Sequence, residues 1–223
     1  MRITDAIQDA ICSGLRWARH LPGHPGLLIH GPRTPQRRGR GLRRGRPRIT
    51  EGGLWHEWFP GLPLVNRGIG GNAVDDVLAR VDTAVADPAA VFLLVGTNDL
   101  DVSGVMENLF SRNRTIDEIA GLMRQLVAAI RERAPYAQLF VQSVMPRQAE
   151  LADLIQAVNS HYQRIAHDAG AAYIDLWPAL ADASGGLRPG YTLDDLHLTG
   201  AGYDAWVKAL RPTSPPSPPL SRT

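Results

Sequence analysis

The stretch AVFLLVGTNDL, residues 90–100, decides the fold class. Its first half is a continuous apolar run bounded by Pro88 and Gly96, which is typical of a strand covered on both faces. Shorter, less continuous apolar stretches predict three further strands, at residues 62–65, 139–144 and 172–176. Because helical stripes separate these runs, the sequence predicts an α/β fold with a parallel sheet and helices on both faces.

The helices are predicted from apolar residues that recur every three or four positions. These stripes predict helices over 3–19, 74–85, 116–130 and 151–165, and a last helix after Thr199. Thr115 and Glu118 form a capping box directly ahead of the third of these helices and mark its start.

Length and composition exclude several classes of protein. The chain has 223 residues, 44% of them hydrophobic, which is enough for one large core. It has no uninterrupted apolar run of the roughly 18 residues that a membrane span needs. The N-terminus lacks the apolar middle of a signal peptide. The single cysteine, Cys12, cannot form an internal disulfide, so we expect a cytoplasmic protein without a membrane span.

The net charge of +2 hides an uneven distribution of basic residues. Residues 31–48, GPRTPQRRGRGLRRGRPR, hold 8 of the 24 basic residues and no acidic residue, which leaves 16 basic against 22 acidic elsewhere. The segment has almost nothing to bury and no periodicity, so we expect it to be disordered. The predicted organisation is an N-terminal helical segment (1–30), this insert (31–48), an α/β domain (49–211) and a disordered Pro/Ser-rich tail (212–223).

The loops at the carboxyl ends of parallel strands are where such folds carry their active groups. In this chain those loops are residues 66–73, 96–104, 145–149 and 188–199. The first contains three glycines, which let backbone N–H groups approach a ligand closely. Its spacing does not match a GxGxxG nucleotide-binding motif.

Two of these loops carry side chains suited to catalysis. Asp194 and His197 stand three residues apart, so the carboxylate can accept the ring Nδ1 proton and leave Nε2 free as a general base. Asp195 is the competing partner, and a surface loop with a helix cap is the alternative interpretation. Asn98 offers an amide donor at a strand end, where an oxyanion could be received, although the same residues also suit an Asx turn. Asp99 is expected to tie its loop together through backbone hydrogen bonds.

The motifs GIGGN, GTND and DDLH, in this order along the chain, together resemble those of the SGNH (GDSL-type) hydrolases. The residues around these motifs resemble the acetylhydrolase and lysophospholipase branch of that family. The resemblance implies a flavodoxin-like three-layer α/β/α fold and hydrolysis of a small-molecule or lipid-like ester. It also implies roles for four residues: Gly71 and Asn98 as oxyanion-hole donors, His197 as the base and Asp194 as its orienting carboxylate. It implies no cofactor and no metal.

The family's first block, an apolar strand ending in Gly-Asp-Ser, is missing. Ile49 and the following Thr-Glu-Gly-Gly are present, but Arg48 occupies the position expected for the nucleophilic serine. Leu27, Leu28 and Ile29 are too few and too far upstream, so the first strand is expected to be lost or replaced. Ser103, the nearest loop serine after GTND, would be the first alternative nucleophile.

Two interpretations of residues 31–48 remain open. The segment could be the product of a shifted reading frame in GC-rich coding DNA, which would explain why family-like sequence resumes at Ile49. Alternatively, Arg44 to Arg48 resembles the core of an AT-hook, whose arginines enter an A·T minor groove, and nucleic acid would then be a partner.

The sequence therefore supports two functional hypotheses. The first is a serine ester hydrolase by resemblance, with little or no turnover expected of the chain as written because its nucleophile is absent. The alternative is a non-catalytic pseudo-hydrolase or a DNA-associated protein. The sequence leaves the acyl and alcohol groups and the oligomeric state open.

Overall fold

A computed structural model describes residues 28–30, 49–103 and 110–211 of the chain. The strands are β1 (Leu28–His30), β2 (Val65–Arg67), β3 (Ala90–Leu93), β4 (Gln138–Gln142) and β5 (Ala172–Ile174). The helices are α1 (Trp55–Trp58), α2 (Val74–Leu78), α3 (Val81–Ala84), α4 (Ile116–Arg133), α5 (Ala152–Asp168), α6 (Trp177–Leu180) and α7 (Gly200–Leu210). The predicted helix over 3–19, the insert at 31–48 and the tail at 212–223 lie outside the described residues.

The five strands form one parallel sheet in the order β2-β1-β3-β4-β5. Each strand after β1 is reached through a connection that contains a helix, as parallel pairing requires. The predicted α/β class with a parallel sheet is therefore confirmed.

The expectation that the first strand is lost is wrong. Strand β1 lies between β2 and β3, with Leu28 aligned with Val65 on one side and with Val91 on the other. A strand this short is stabilised by hydrogen bonds to the strands on both sides of it. In the sequence, residues 31–48 separate the strand from Ile49, so the sequence alone does not show that the two belong to one domain. The sheet thus begins upstream of the domain start predicted at Ile49, and residues 28–30, predicted as part of a helical segment, form a strand.

Successive side chains of the central strands enter two separate cores, one on each face of the sheet. Val91 and Leu93 of β3 pack with α2, α3, α4 and α5, whereas Phe92 packs with α1, α6 and α7. Strand β4 repeats the alternation, so that Phe92 and Phe140 stack with ring centroids 4.3 Å apart. The alternation follows from the two-residue period of a strand and produces three layers.

The helices of the first core begin and end largely where the sequence predicts. The capping box ahead of α4 is confirmed: the Glu118 carboxylate accepts from the Thr115 amide at 2.8 Å, and the Thr115 hydroxyl accepts from the Glu118 amide at 3.3 Å. The helix predicted over 74–85 is instead two short helices, α2 and α3, because the chain turns at Arg80. Its guanidinium binds the Asn72 side-chain oxygen.

The second core is organised around Trp206 of α7. Its indole N–H donates to the Gln142 side chain at 2.8 Å, and its ring meets that of Trp55 edge to face at 4.7 Å. Helix α7 begins at Gly200, where the Thr199 hydroxyl accepts from the Gly202 amide. These contacts fix the helix that directly follows the Asp194–His197 loop.

Within the described ranges, no helix is long and apolar enough to cross a membrane.

The loop after β4 is fixed by one buried side chain of α5. The Asn159 amide group accepts from the Val144 N–H at 2.7 Å and donates to the Val144 carbonyl at 3.0 Å. Both backbone groups are buried, so they depend on Asn159 for their hydrogen bonds.

Replacing Asn159 by leucine should lower the free energy of unfolding by about 2–4 kcal/mol, because two buried backbone groups lose their partners. Urea unfolding of purified protein measures the loss. Ser160→Ala, an exposed change on the same helix, is the matched control and should stay within about 0.5 kcal/mol of the parent. Equal unfolding midpoints for the parent and Asn159→Leu would contradict the assigned role.

Candidate active site

A cavity of about 450 Å³ opens at the carboxyl edge of the sheet. Its wall is built mainly from 49–51, 68–72, 94–98 and 144–147, with Asp194, Leu196 and His197. Each of the four loops singled out from the sequence contributes to it. Gly71, Asn98, Asp194 and His197, which come from three different loops, therefore line one cavity.

Asp194 and His197 form a direct pair. The ring Nδ1 lies 2.7 Å from Asp194 Oδ2, and the backbone N–H of His197 donates to Oδ1 at 2.8 Å. Asp194 is thus the partner of the imidazole, while Asp195 takes a left-handed backbone conformation with φ of +54°. Partial burial opposes ionisation of Asp194, but the hydrogen bonds from His197 outweigh it and hold the pKa of Asp194 below its ordinary value.

The GTND loop turns sharply at Gly96, where φ is +125° and a side chain would collide with the Tyr162 hydroxyl. Two residues later, the Asn98 amide nitrogen donates to the Asn72 carbonyl at 3.0 Å. This bond uses one of its two hydrogens and joins the GTND loop to the glycine loop. Asn98 and Gly71 are thereby held on the same side of the cavity.

The Asp99 side chain also holds the GTND loop against the segment that follows the glycine loop. It is fully buried and accepts two contacts from the Val74 N–H, at 3.0 and 3.2 Å, at the start of α2. The sequence predicts that Asp99 ties its own loop together, but its carboxylate binds a backbone N–H group at the start of α2 instead. The Arg114 guanidinium binds Asp99 and also Asp75, the latter at 2.6 and 3.0 Å.

This buried network shifts the pKa values of its carboxyl groups in opposite directions. Burial raises the pKa of Asp99, against the opposing hydrogen bonds from Arg114 and Val74. The hydrogen bond from Arg114 lowers the pKa of Asp75, which is more exposed. Arg114 thus compensates one buried and one partly exposed negative charge.

The glycine loop approaches the cavity with Gly71 in the left-handed region, at φ of +83°. A side chain at this position would also lie 2.8 Å from the Phe110 ring. Within the part of the chain that the structure describes, the Gly71 N–H makes no hydrogen bond. Only glycine fits here without strain, which is consistent with a backbone donor placed at the cavity wall.

Ile49, Thr50 and Glu51 are held firmly at the cavity although the residues before them are not described. The Asn66 side chain donates to the Thr50 carbonyl at 2.9 Å, and the Glu51 carboxylate accepts from the Gly70 N–H at 2.9 Å. The Tyr203 hydroxyl donates to the Ile49 carbonyl. The chain therefore enters the cavity wall at a fixed point, directly after Arg48.

Ser103, the first alternative nucleophile suggested by the sequence, is exposed and does not line the cavity. The Ser111 hydroxyl binds the Leu100 carbonyl, and the Ser143 hydroxyl accepts from the Leu176 N–H in the core. Among the described residues that line the cavity, hydroxyl groups belong only to Thr50 and Thr97.

Arg147 is a cavity residue that sequence reasoning missed. Only 1% of its surface is exposed, and it lies in the loop after β4. The signal was present, since residues 145–149 form one of the four loops expected at this edge and Arg147 is their only charged residue.

Among the described residues, no group of three or more His, Cys, Asp or Glu side chains is arranged to bind a metal ion.

The sequence profile of the GDSL-like lipase/acylhydrolase family matches residues 29–205. The chain belongs to this family. The match includes part of β1, which agrees with the strand's place in the sheet, and extends through most of α7.

Two relatives illustrate the similarity of this GDSL-like protein to characterised sequences. It is 25% identical over 170 residues to platelet-activating factor acetylhydrolase IB subunit alpha1 of Homo sapiens. It is 27% identical over 165 residues to the alpha2 subunit of Rattus norvegicus. Each match covers 70% of this chain and 66% of the relative, so the chain spans slightly less than two thirds of these relatives.

Solved structures show the same fold. A GDSL-like lipase from Bacteroides thetaiotaomicron is 20% identical, with a TM-score of 0.64 over 94% of this chain and 96% of that one. The acetylxylan esterase Axe2 from Geobacillus stearothermophilus is 22% identical, with a TM-score of 0.58 over 70% of this chain and 74% of that one. At these identities the likeness concerns the fold of the GDSL-like domain.

Replacing Arg114 by methionine should lower the free energy of unfolding by about 3–5 kcal/mol, because Asp99 is left buried without its cation. Chemical denaturation measures the loss. Arg112→Met, which removes an exposed ion pair with Asp76, is the matched control and should have a much smaller effect. Adding Asp99→Asn to the Arg114 variant should recover part of the stability; no recovery would contradict this account of the network.

Proposed function

We propose that the cavity is an acyl-ester hydrolysis site in which His197 is the general base and Asp194 orients it. The Gly71 N–H and the Asn98 side-chain amide receive the oxyanion. The observation that carries this proposal is the convergence of a histidine–carboxylate pair and two neutral N–H donors on one cavity. A carboxylate on Nδ1 leaves Nε2 to accept a proton, and neutral donors stabilise developing negative charge on a carbonyl oxygen.

With a serine nucleophile, such a site performs acyl transfer. The serine oxygen attacks the ester carbonyl, His197 Nε2 takes its proton, and the tetrahedral oxyanion lies between Gly71 and Asn98. The proton passes to the leaving alcohol, and water then releases the acid by the same steps. In this chain the expected serine position is Arg48, so attack by water with His197 as base is the remaining route. That route supports only a residual rate, of the order of 10³–10⁴ over water in intact scaffolds.

The position of β1 suggests where the family's first block is interrupted. The strand ends at His30, and Gly31 follows it, as glycine follows the strand in the Gly-Asp-Ser block. Ile49 and Thr50 resume the family pattern at the cavity wall. We infer that residues 32–48 stand where the family has Asp-Ser.

The size of the cavity supports a substrate class. About 450 Å³ suits a small ester or one end of a lipid-like ester. The acetylhydrolase and acetylxylan esterase activities named for the relatives make an acetyl ester the first candidate. A cytoplasmic location, based on the single cysteine, belongs to the same proposal.

The first test is hydrolysis of p-nitrophenyl acetate by the chain as it stands. We expect a slow rate above buffer that is lost in His197→Ala. His167→Ala is the matched control, because His167 also contacts a neighbouring carboxylate, Asp168 at 3.2 Å, but is exposed and outside the cavity. An unchanged rate in His197→Ala would contradict the assignment of the base.

The second test restores the block. Replacing residues 32–48 by Asp-Ser should raise turnover by about 10³-fold or more, because the nucleophile is the largest missing contribution. The same replacement by Asp-Ala keeps the chain length and removes only the hydroxyl, so it should remain slow. If the Asp-Ser variant folds with the same far-UV spectrum as the Asp-Ala variant and gains no turnover over it, the proposed function fails.

A further inference from the structure

The glycine loop that carries Gly71 is bound at both of its ends by the side chain of Arg80. The guanidinium Nε and Nη2 both donate to the Asn72 side-chain oxygen, at 2.9 and 2.7 Å. The Nη1 atom donates to the Arg67 carbonyl at 3.3 Å. Arg67 is the last residue of β2, and Asn72 lies just before α2. One guanidinium therefore holds the two ends of the loop together, with Gly71 between them.

The same contacts reach Asn98 through Asn72. The Asn98 amide nitrogen donates to the Asn72 carbonyl at 3.0 Å, so the place of this amide depends on where Asn72 is held. All four side chains and backbone groups in this chain of contacts, from Arg80 through Gly71 and Asn72 to Asn98, line the cavity. Both proposed oxyanion donors are thus connected to one side chain.

The backbone turn at Arg80 does not depend on its side chain. The Arg80 carbonyl accepts from the Thr83 and Ala84 N–H groups at 3.1 and 2.9 Å, and any side chain at this position permits these bonds. The guanidinium is partly buried. Burial lowers the pKa of Arg80 to about 10, with Asp76 opposing the change and Arg67 adding to it. Hydrogen bonds to the glycine loop offset this cost of burial.

We propose that Arg80 is a positioning residue for the oxyanion site: its guanidinium clamps the two ends of the glycine loop and, through Asn72, holds the Gly71 N–H and the Asn98 amide at a fixed spacing. This inference rests on the proposed function for the purpose of the two donors. The clamp depends on the planar fork of the guanidinium, because the oxygens that it binds are neutral. Its first test observes the loop and not ester turnover, so the two proposals can fail separately.

The experiment measures the Gly71 backbone amide and the Asn98 side-chain amide by ¹⁵N NMR of the full chain. In the parent we expect Gly71 to be as ordered as rigid backbone, with an order parameter of about 0.85, and in Arg80→Met we expect a fall toward about 0.6. The Asn98 proton that is bound to the Asn72 carbonyl should move upfield and exchange faster with water. Arg80→Lys should behave like the methionine variant, because an ammonium group does not reproduce the fork.

Arg131→Met is the matched control. Arg131 also binds three backbone carbonyls but does not line the cavity; the carbonyls are those of Ala137, Ala169 and Gly170. Its replacement should lower thermal stability and leave the Gly71 and Asn98 signals unchanged. The Gly68 amide is an internal reference, because it donates to the Asn66 side chain at 3.0 Å and keeps that bond in every variant.

Two results would overturn the proposal. One is a Gly71 order parameter and Asn98 signals that stay the same in Arg80→Met; the other is full recovery in Arg80→Lys, which would indicate that only the charge matters. If Arg80→Met does not fold, Asn72→Ala decides the matter, because it removes the acceptor of two of the three contacts and keeps Arg80. A loosened Asn98 amide in that variant supports the clamp, and parent-like Asn98 signals refute it.

Ester turnover gives a second measurement once the Asp-Ser block is restored. In that background Arg80→Met should lower kcat by about 10²-fold, comparable to the loss of one oxyanion donor, and leave KM nearly unchanged. An unchanged kcat would contradict the positioning role. If the restored block gains no turnover at all, the proposed function fails, and the NMR comparison still decides whether Arg80 holds the loop.

Discussion

The site depends on the compensation of one buried charge, the carboxylate of Asp99. Removed from water, this group is stable only because the Val74 N–H and the Arg114 guanidinium both bind it. Its two partners belong to the start of α2 and to the segment before α4. The carboxylate therefore locks the GTND loop to the glycine loop, and the distance between Asn98 and Gly71 follows from that junction.

Among the described residues, the contacts that hold the cavity together are made without a Gly-Asp-Ser block. Asn66 and Tyr203 fix the backbone at 49–50, Asn98 binds the glycine loop, and Asp194 binds His197 within its own loop. Each of these contacts is made by a side chain outside residues 31–48. A cavity lined by Gly71, Asn98 and the Asp194–His197 pair is therefore compatible with a sequence in which the Gly-Asp-Ser block is absent.

Charge around the cavity is arranged in compensated groups. Arg114 lies beneath the glycine loop with Asp75 and Asp99, and the neighbouring Arg112 pairs with Asp76. A largely buried guanidinium is costly to desolvate, so the position of Arg114 is explained by the carboxylates that it offsets. The same arrangement fixes loops that have little apolar surface of their own to bury.

The sequence by itself determined the α/β class, the start of α4 and the spacing of Asp194 and His197, because strand period, capping and a three-residue separation act locally. It predicted that Asp99 ties its own loop together, whereas in the structure Asp99 binds the Val74 N–H at the start of α2. Tertiary structure alone decided that β1 is a strand and that the Arg147 side chain is buried. A three-residue run gains its stability from two neighbouring strands, and the burial of an arginine depends on loops that are distant in sequence, so neither leaves a local pattern in the chain.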